Sequence, residues 1–215
     1  VGGVVDGSGL KNTLERQVVG ALIAELGEKM GHGRVLIPAA VDRFGMTAAF
    51  AAHGYDILCG ELAFALGIPV PIRSLAGLRR TMRMLMPIIG RLPISWIYPM
   101  GEKQNEIVPK YEAWYQWADI IAGDCLFIKR HMPDDLAGKI IVTNTTTEED
   151  RRLFAERGVT YIMTTTPMID GRSFGTNLLE AALTAVAGKN RPLTEPELQE
   201  LITTLELKPT LLRLQ

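Results

Sequence analysis

Short apolar runs of strand length alternate with helix-forming stretches along most of this chain. RVLIPA at 34–39, YDILC at 55–59, ADIIA at 118–122, KIIVT at 139–143 and VTYIMT at 159–164 read as buried strands bounded by turn residues. Residues 46–53, 147–157 and 176–187 read as helices, with Gly54 placed to end the first and Thr147 and Thr176 placed to cap the other two. A glycine pair at Gly31 and Gly33, around His32, separates an earlier helix-like stretch from the first strand. Strands that alternate with helices form a parallel sheet with helices on its faces. The pattern therefore predicts a Rossmann-like, doubly wound, mostly parallel α/β sheet over residues 1–190. A closing helix and tail then occupy 191–215, launched by the capping-box pattern Thr194-Glu-Pro-Glu197.

At 215 residues the chain is long enough for one domain with a real core. Lys and Arg number 23 against 24 Asp and Glu, for a net charge of −1, which gives no global electrostatic reason to expect nucleic acid. The two cysteines, Cys59 and Cys125, sit in apolar stretches without further Cys or His at zinc-ligand spacing, so neither a disulfide framework, a metal finger nor another metal site is expected. A reducing cytoplasm is the expected location. The opening VGGVVDGSG starts on a strand-like run already in progress, which predicts that this is the later part of a longer chain.

A helical excursion is expected over 74–117. Leu75, Leu78, Met82, Leu85 and Met86 recur at helical spacing, and five arginines lie between Ile72 and Leu92 with no acid among them. Pro87 is expected to kink or end this helix, and an aromatic loop follows at 93–99. Such a segment is a crossover helix packed on the sheet, a homodimer contact, or a surface that meets anionic lipid through 74–99.

In open parallel sheets ligands bind beyond the carboxyl ends of the strands, which selects four turns. The first, AVDRFG at 40–45, keeps the spacing of a dinucleotide fingerprint: Gly45 takes the third glycine position and Glu61, after the next strand, the place of the ribose acid. Asp42 takes the second glycine position, and Arg43 either holds a phosphate or pairs with Asp42 to shape the turn. These residues are the candidate cofactor site. The second turn, Asp6-Gly-Ser-Gly-Leu-Lys-Asn12, places Gly7, Ser8 and Lys11 at a helix start and suits an anion or a capped turn. In the third, Asp124 is a candidate general base and His131 a candidate proton carrier, with a Cys125–His131 nucleophile pair as a weaker option. The fourth joins two hydroxyl-rich turns with Asn144, Thr145, Thr165, Arg172 and Asn177, in outline a pocket for a polyol or a carboxylate clamped by Arg172.

The segments VVDGSGLKNTLER at 4–16, AAVDRFGM at 39–46, ELAFALGIPVPIRSL at 61–75, YPMGEKQ at 98–104, TNTTTEED at 143–150 and TTTPMIDGRSFGTNLLEA at 164–181 resemble those of bacterial quinate 5-dehydrogenase-like, or quinate/shikimate dehydrogenase-like, proteins. The resemblance implies oxidation of a cyclic polyol acid with NAD or NADP as cofactor and a small-molecule substrate as the partner. It also implies a catalytic lysine paired with an aspartate, for which Lys103 and Asp124 are the candidates. The alternative reading of the same turns is a Rossmann-like module that binds a phosphorylated or carboxylated metabolite without nicotinamide chemistry.

Overall fold

The computed structural model describes residues 5–27, 33–89 and 106–215. The opening strand-like run before Val5, the His32 turn, the aromatic loop at 93–99 and Lys103 lie outside the described residues.

Six strands make the main sheet: β1 (Arg34–Ile37), β2 (Asp56–Cys59), β3 (Ile120–Gly123), β4 (Ile140–Thr143), β5 (Tyr161–Thr164) and β8 (Thr210–Arg213). Between β5 and β8 in sequence lie β6 (Met168–Ile169) and β7 (Arg172–Ser173), which form a separate two-stranded hairpin. Its turn residues Asp170 and Gly171 both take positive φ, 50° and 74°, the conformation that a tight two-residue hairpin loop requires. The order of the main sheet is β2-β1-β3-β4-β5-β8, with every pairing parallel except β5 with β8. This is a Rossmann-like doubly wound sheet in the 2-1-3-4-5 order, extended by one antiparallel edge strand. The sequence reading did not anticipate β8: its TLLR follows the closing helix and carries too little alternation to stand out.

Ten helices are described: α1 (Ser8–Asn12), α2 (Leu14–Leu26), α3 (Phe44–Ala52), α4 (Glu61–Leu66), α5 (Leu75–Ile89), α6 (Glu112–Trp117), α7 (Cys125–His131), α8 (Glu148–Glu156), α9 (Thr176–Val186) and α10 (Glu195–Thr204). Successive strand residues point to opposite faces, so each strand feeds two cores. Val35, Ile37, Ile57, Ile120 and Val142 pack with Val18 and Leu22 of α2, Met46 and Phe50 of α3 and Leu78 of α5. Leu36, Leu58, Ile121, Ile141 and Ile162 face the other way, onto Phe64 of α4, Tyr115 of α6, Phe127 and Ile128 of α7 and Phe154 of α8. A third cluster joins Leu10, Leu14, Leu183, Leu198 and Ile202, and so ties the start of the chain to α9 and α10.

Helix starts follow local chemistry. The expected capping box forms at Thr194 with Glu197, and Thr147, expected as a cap, forms one as well, with Asp150. Thr176, expected as a cap, is instead the first residue of α9 and is buried, with Gly175 in the capping position. Pro87 does not end its helix: α5 runs past it to Ile89. Lys129, Arg130 and His131 form the last turn of α7.

Candidate functional site

Strand order reverses between β1 and β3, and the residues following these two strands form the centre of the carboxyl edge. Arg43 stands just after β1 and is only 4% exposed. Its guanidinium pairs with the fully buried carboxylate of Glu15 on α2, lies 3.2 Å from Asp42 and 3.4 Å from Asp124. The Asp42 contact is an ion pair without hydrogen-bond geometry, since Arg43 Nε has no acceptor in line with it. Asp42 also accepts from Lys11 Nζ at 2.7 Å. Burial pushes the Glu15 carboxyl above its ordinary range against the pull of Arg43 and Lys11. Arg43 and Lys11 are thus held by the protein's own carboxylates, and Arg43 does not present itself to a phosphate.

The glycine-rich turn before α1 takes the capped form that the sequence also allowed. The Ser8 N–H donates to Asp6 Oδ1 at 3.0 Å and the Leu10 N–H to Glu180 Oε2 at 3.0 Å, so internal carboxylates take the donors expected to meet an anion. Gly7 abuts the start of α9 so closely that a Cβ there would stand 2.2 Å from Asn177 Oδ1. Gly7 and Asn177 are therefore brought together as a packing contact. Gly45 is also a packing position, with the Lys11 carbonyl 2.5 Å from where a Cβ would sit.

Glu61 is the first residue of α4, and its Oε2 accepts the Val41 N–H at 3.1 Å. Burial pushes its carboxyl up to about 7. It lines a cleft of about 220 Å³ together with Pro38, Ala39, Val41, Asp42, Ala65 and Phe127.

A second, larger cleft of about 330 Å³ opens on the other side of the α7 N-terminus, between α7 and α8, lined among others by Asp124, Lys129, Thr145, Thr147, Glu149 and Asp150. Asp124 caps α7, accepting from the N–H groups of Leu126 and Phe127 at 3.1 and 3.2 Å. Asn144 Oδ1 accepts from the Cys125 N–H at 3.4 Å, which joins the ends of β3 and β4. Lys129 Nζ is paired with Asp150 Oδ1, while Asp150 Oδ2 accepts from both the N–H and the hydroxyl of Thr147. Burial raises the Asp150 carboxyl, but the hydrogen bonds from Lys129 and Thr147 outweigh it and hold the group below its ordinary value. Lys129 and Asp150 were not in the sequence-derived site. The clue available was the position of Asp150 at the third residue of a capped helix following a strand, which puts it on the carboxyl edge.

Three expectations for this edge are overturned. His131 is 3% exposed, sits at the far end of α7 from the edge, and packs between Phe64 and Phe127 with Nδ1 bound to the Val108 carbonyl. Burial lowers its pKa to about 4, so at neutral pH it is a neutral core side chain rather than a proton carrier. Cys125 and His131 stand at opposite ends of α7, and burial pushes the Cys125 thiol far up, which removes the nucleophile pair. Most hydroxyls of the threonine-rich turns are engaged internally: Thr143 donates to the Gly123 carbonyl, Thr164 to that of Thr166, and Thr166 to that of Phe174. Thr145 is exposed beside the larger cleft, whereas the buried Thr165 hydroxyl has no partner. Arg172 is exposed on the small hairpin and lines neither cleft. Among the described residues no group of three or more His, Cys, Asp or Glu is arranged to hold a metal ion, and no helix is long and apolar enough to cross a membrane.

Residues 9–214 match the family described as a domain of unknown function, DUF8754. The chain belongs to this family. No curated protein matches the sequence of this DUF8754 member. Among solved structures, the substrate-binding protein of a sugar ABC transport system from Bordetella parapertussis 12822 aligns at 14% identity over 85% of this chain and 49% of its own, with a TM-score of 0.32. A protein from Mycobacterium smegmatis aligns at 12% identity over 92% of this chain and 64% of its own, with a TM-score of 0.34. The DUF8754 chain spans about half the length of the first and less than two thirds of the second.

Proposed function

We propose that the protein binds a small hydroxylated carboxylic acid in the cleft between α7 and α8, with Lys129 as the cation that meets its carboxylate. The placement of Lys129 carries this reading. An ammonium has three donors, and the pairing with Asp150 uses one while fixing the side chain in the cleft wall. Around it, Thr145 offers a hydroxyl, and Asp124 and Glu149 offer acceptors for ligand hydroxyls. A cleft of about 330 Å³ is at the lower end of the range that accommodates small-molecule ligands. Two buried free cysteines accord with a cytoplasmic setting. Isothermal titration with cyclic and linear hydroxy acids tests the reading. Binding that Lys129→Gln weakens by about tenfold or more supports it, and no heat with any of them at millimolar concentration ends it.

A second reading, NAD(P)-dependent oxidation of such an acid, is favoured by one observation. Glu61 lies beside the turn that follows β1, where the acid that meets a ribose diol belongs. Weighing against it, a pyrophosphate at this turn would face Asp42 and find Arg43 already held by three carboxylates. Titration with NAD(H) and NADP(H), alone and with a bound hydroxy acid, separates the two readings.

A further inference from the structure

The arginines of α5 take no part in either cleft, and their surroundings are unusual for a surface helix. The sequence holds no acidic residue from 62 to 101, a span that includes Arg73, Arg79, Arg80 and Arg83. Leu78 is fully buried and anchors α5 on the core shared with α3. The α3 segment itself, FGMTAAFAA, carries no charge, so the helix beneath α5 supplies no counter-ion. Arg73, just before α5, is the exception, paired with Asp56 at 3.4 Å. Arg79 lies 5.2 Å over the Phe44 ring. Arg80 and Arg83 are exposed and have no acidic partner among the described residues.

Helical spacing places Ala76, Arg80, Arg83, Met84 and Pro87 along one side, and all five are exposed. Met84 is 69% exposed, and the loop leading into α5 adds Ile68 at 46% and Val70 at 50%. A cationic stripe with a large apolar side chain in the middle of it complements a surface that is anionic and apolar just beneath. A nucleic acid backbone would match the charge but gives Met84 no apolar partner, and the exposed side of α5 offers no aromatic ring for base stacking.

We propose that the exposed side of α5 docks the protein on anionic lipid bilayers, with Arg80 and Arg83 at the headgroups and Met84 entering the interface. The proposal is independent of what binds in the clefts. Its test is cosedimentation of the full chain with vesicles of phosphatidylcholine alone and of phosphatidylcholine with roughly a third phosphatidylserine, the composition that supplies the negative surface potential. Binding is expected only to the anionic vesicles, and it should fall at high salt as the charges are screened. Each arginine near such a surface contributes about fivefold. Losing the two arginines alone costs about thirtyfold, so the charge-reversed double variant Arg80→Glu with Arg83→Glu should bind at least about thirtyfold more weakly, with an unchanged melting temperature because both side chains are exposed. Met84→Ser should weaken binding while keeping its salt dependence. Equal binding to both vesicle types, no binding to either, or an unaffected double variant overturns the proposal. So does salt-sensitive binding to a single-stranded or duplex oligonucleotide without vesicle binding.

Discussion

Arg43 and Glu15 form an ion pair in which the carboxylate is fully buried and the guanidinium nearly so, at the point where the turn after β1 meets α2. Removing one partner strands a charge in the interior, which costs more than the pair contributes. Arg43→Met should therefore destabilise the protein by about 3–5 kcal/mol, and Glu15→Leu should restore much of that when combined with it. Urea unfolding of the two single variants and the double variant measures the cycle. Equal losses that simply add would mean that the residues act separately.

Gly45 lies at the start of α3 against α1, and a methyl group added there meets the Lys11 carbonyl at 2.5 Å. A backbone oxygen has no rotamer by which to move aside, so the two helices must separate. Gly45→Ala is expected to cost about 1–3 kcal/mol, read as a lowered urea midpoint with an unchanged slope. Gly20→Ala is the matched control, because nothing stands within 4 Å of its added Cβ.

Strands β1 to β5 were legible because each is a short apolar run between turn signals, and the caps at Thr147 and Thr194 were legible because their bonds are local. The spacing around Gly45 resembled a nucleotide fingerprint because a close backbone approach needs glycine whether the neighbour is a phosphate or a carbonyl. What decided the case was long-range. Glu180 reaches the Leu10 N–H across the chain, Glu15 takes Arg43, and Asp150 takes Lys129. His131 looked like a proton carrier because α7 is too short to show a clear helical period, so its burial between two phenylalanines left no trace in the pattern. The Lys129–Asp150 cleft depends on β3 and β4 being neighbours, which no local signal encodes.

Glu61 makes stability fall toward alkaline pH. Burial holds its carboxyl at about 7 in the folded state against about 4.5 ordinarily, so the folded protein binds more protons than the unfolded chain between those values. The stabilisation tied to its proton is complete below about pH 4.5 and is lost as pH rises through 7. Glu61→Gln should flatten the dependence over this window and exceed the parent protein in stability above pH 7. Glu15 pulls in the same direction but is present in both proteins, so the difference between their urea midpoints against pH isolates Glu61. Parallel curves would show that the Glu61 carboxyl is ionised and solvated.

His131 acts at the opposite end of the pH range. Its folded pKa of about 4 lies below the ordinary 6.5, since burial among Phe64 and Phe127 disfavours the cation. The unfolded chain therefore binds the extra proton, and the stability that His131 contributes is present above about pH 6.5 and is lost as pH falls through 4. Its ring carbon resonance in an NMR titration should stay in the neutral position from pH 8 down to about 5. Because His131 lines neither cleft, His131→Gln should leave hydroxy-acid binding at pH 7 unchanged while weakening the fold, by about 1–3 kcal/mol from the disturbed aromatic packing. A His131 resonance that titrates near 6.5, or a variant that loses binding while keeping its melting temperature, would return this residue to the ligand site.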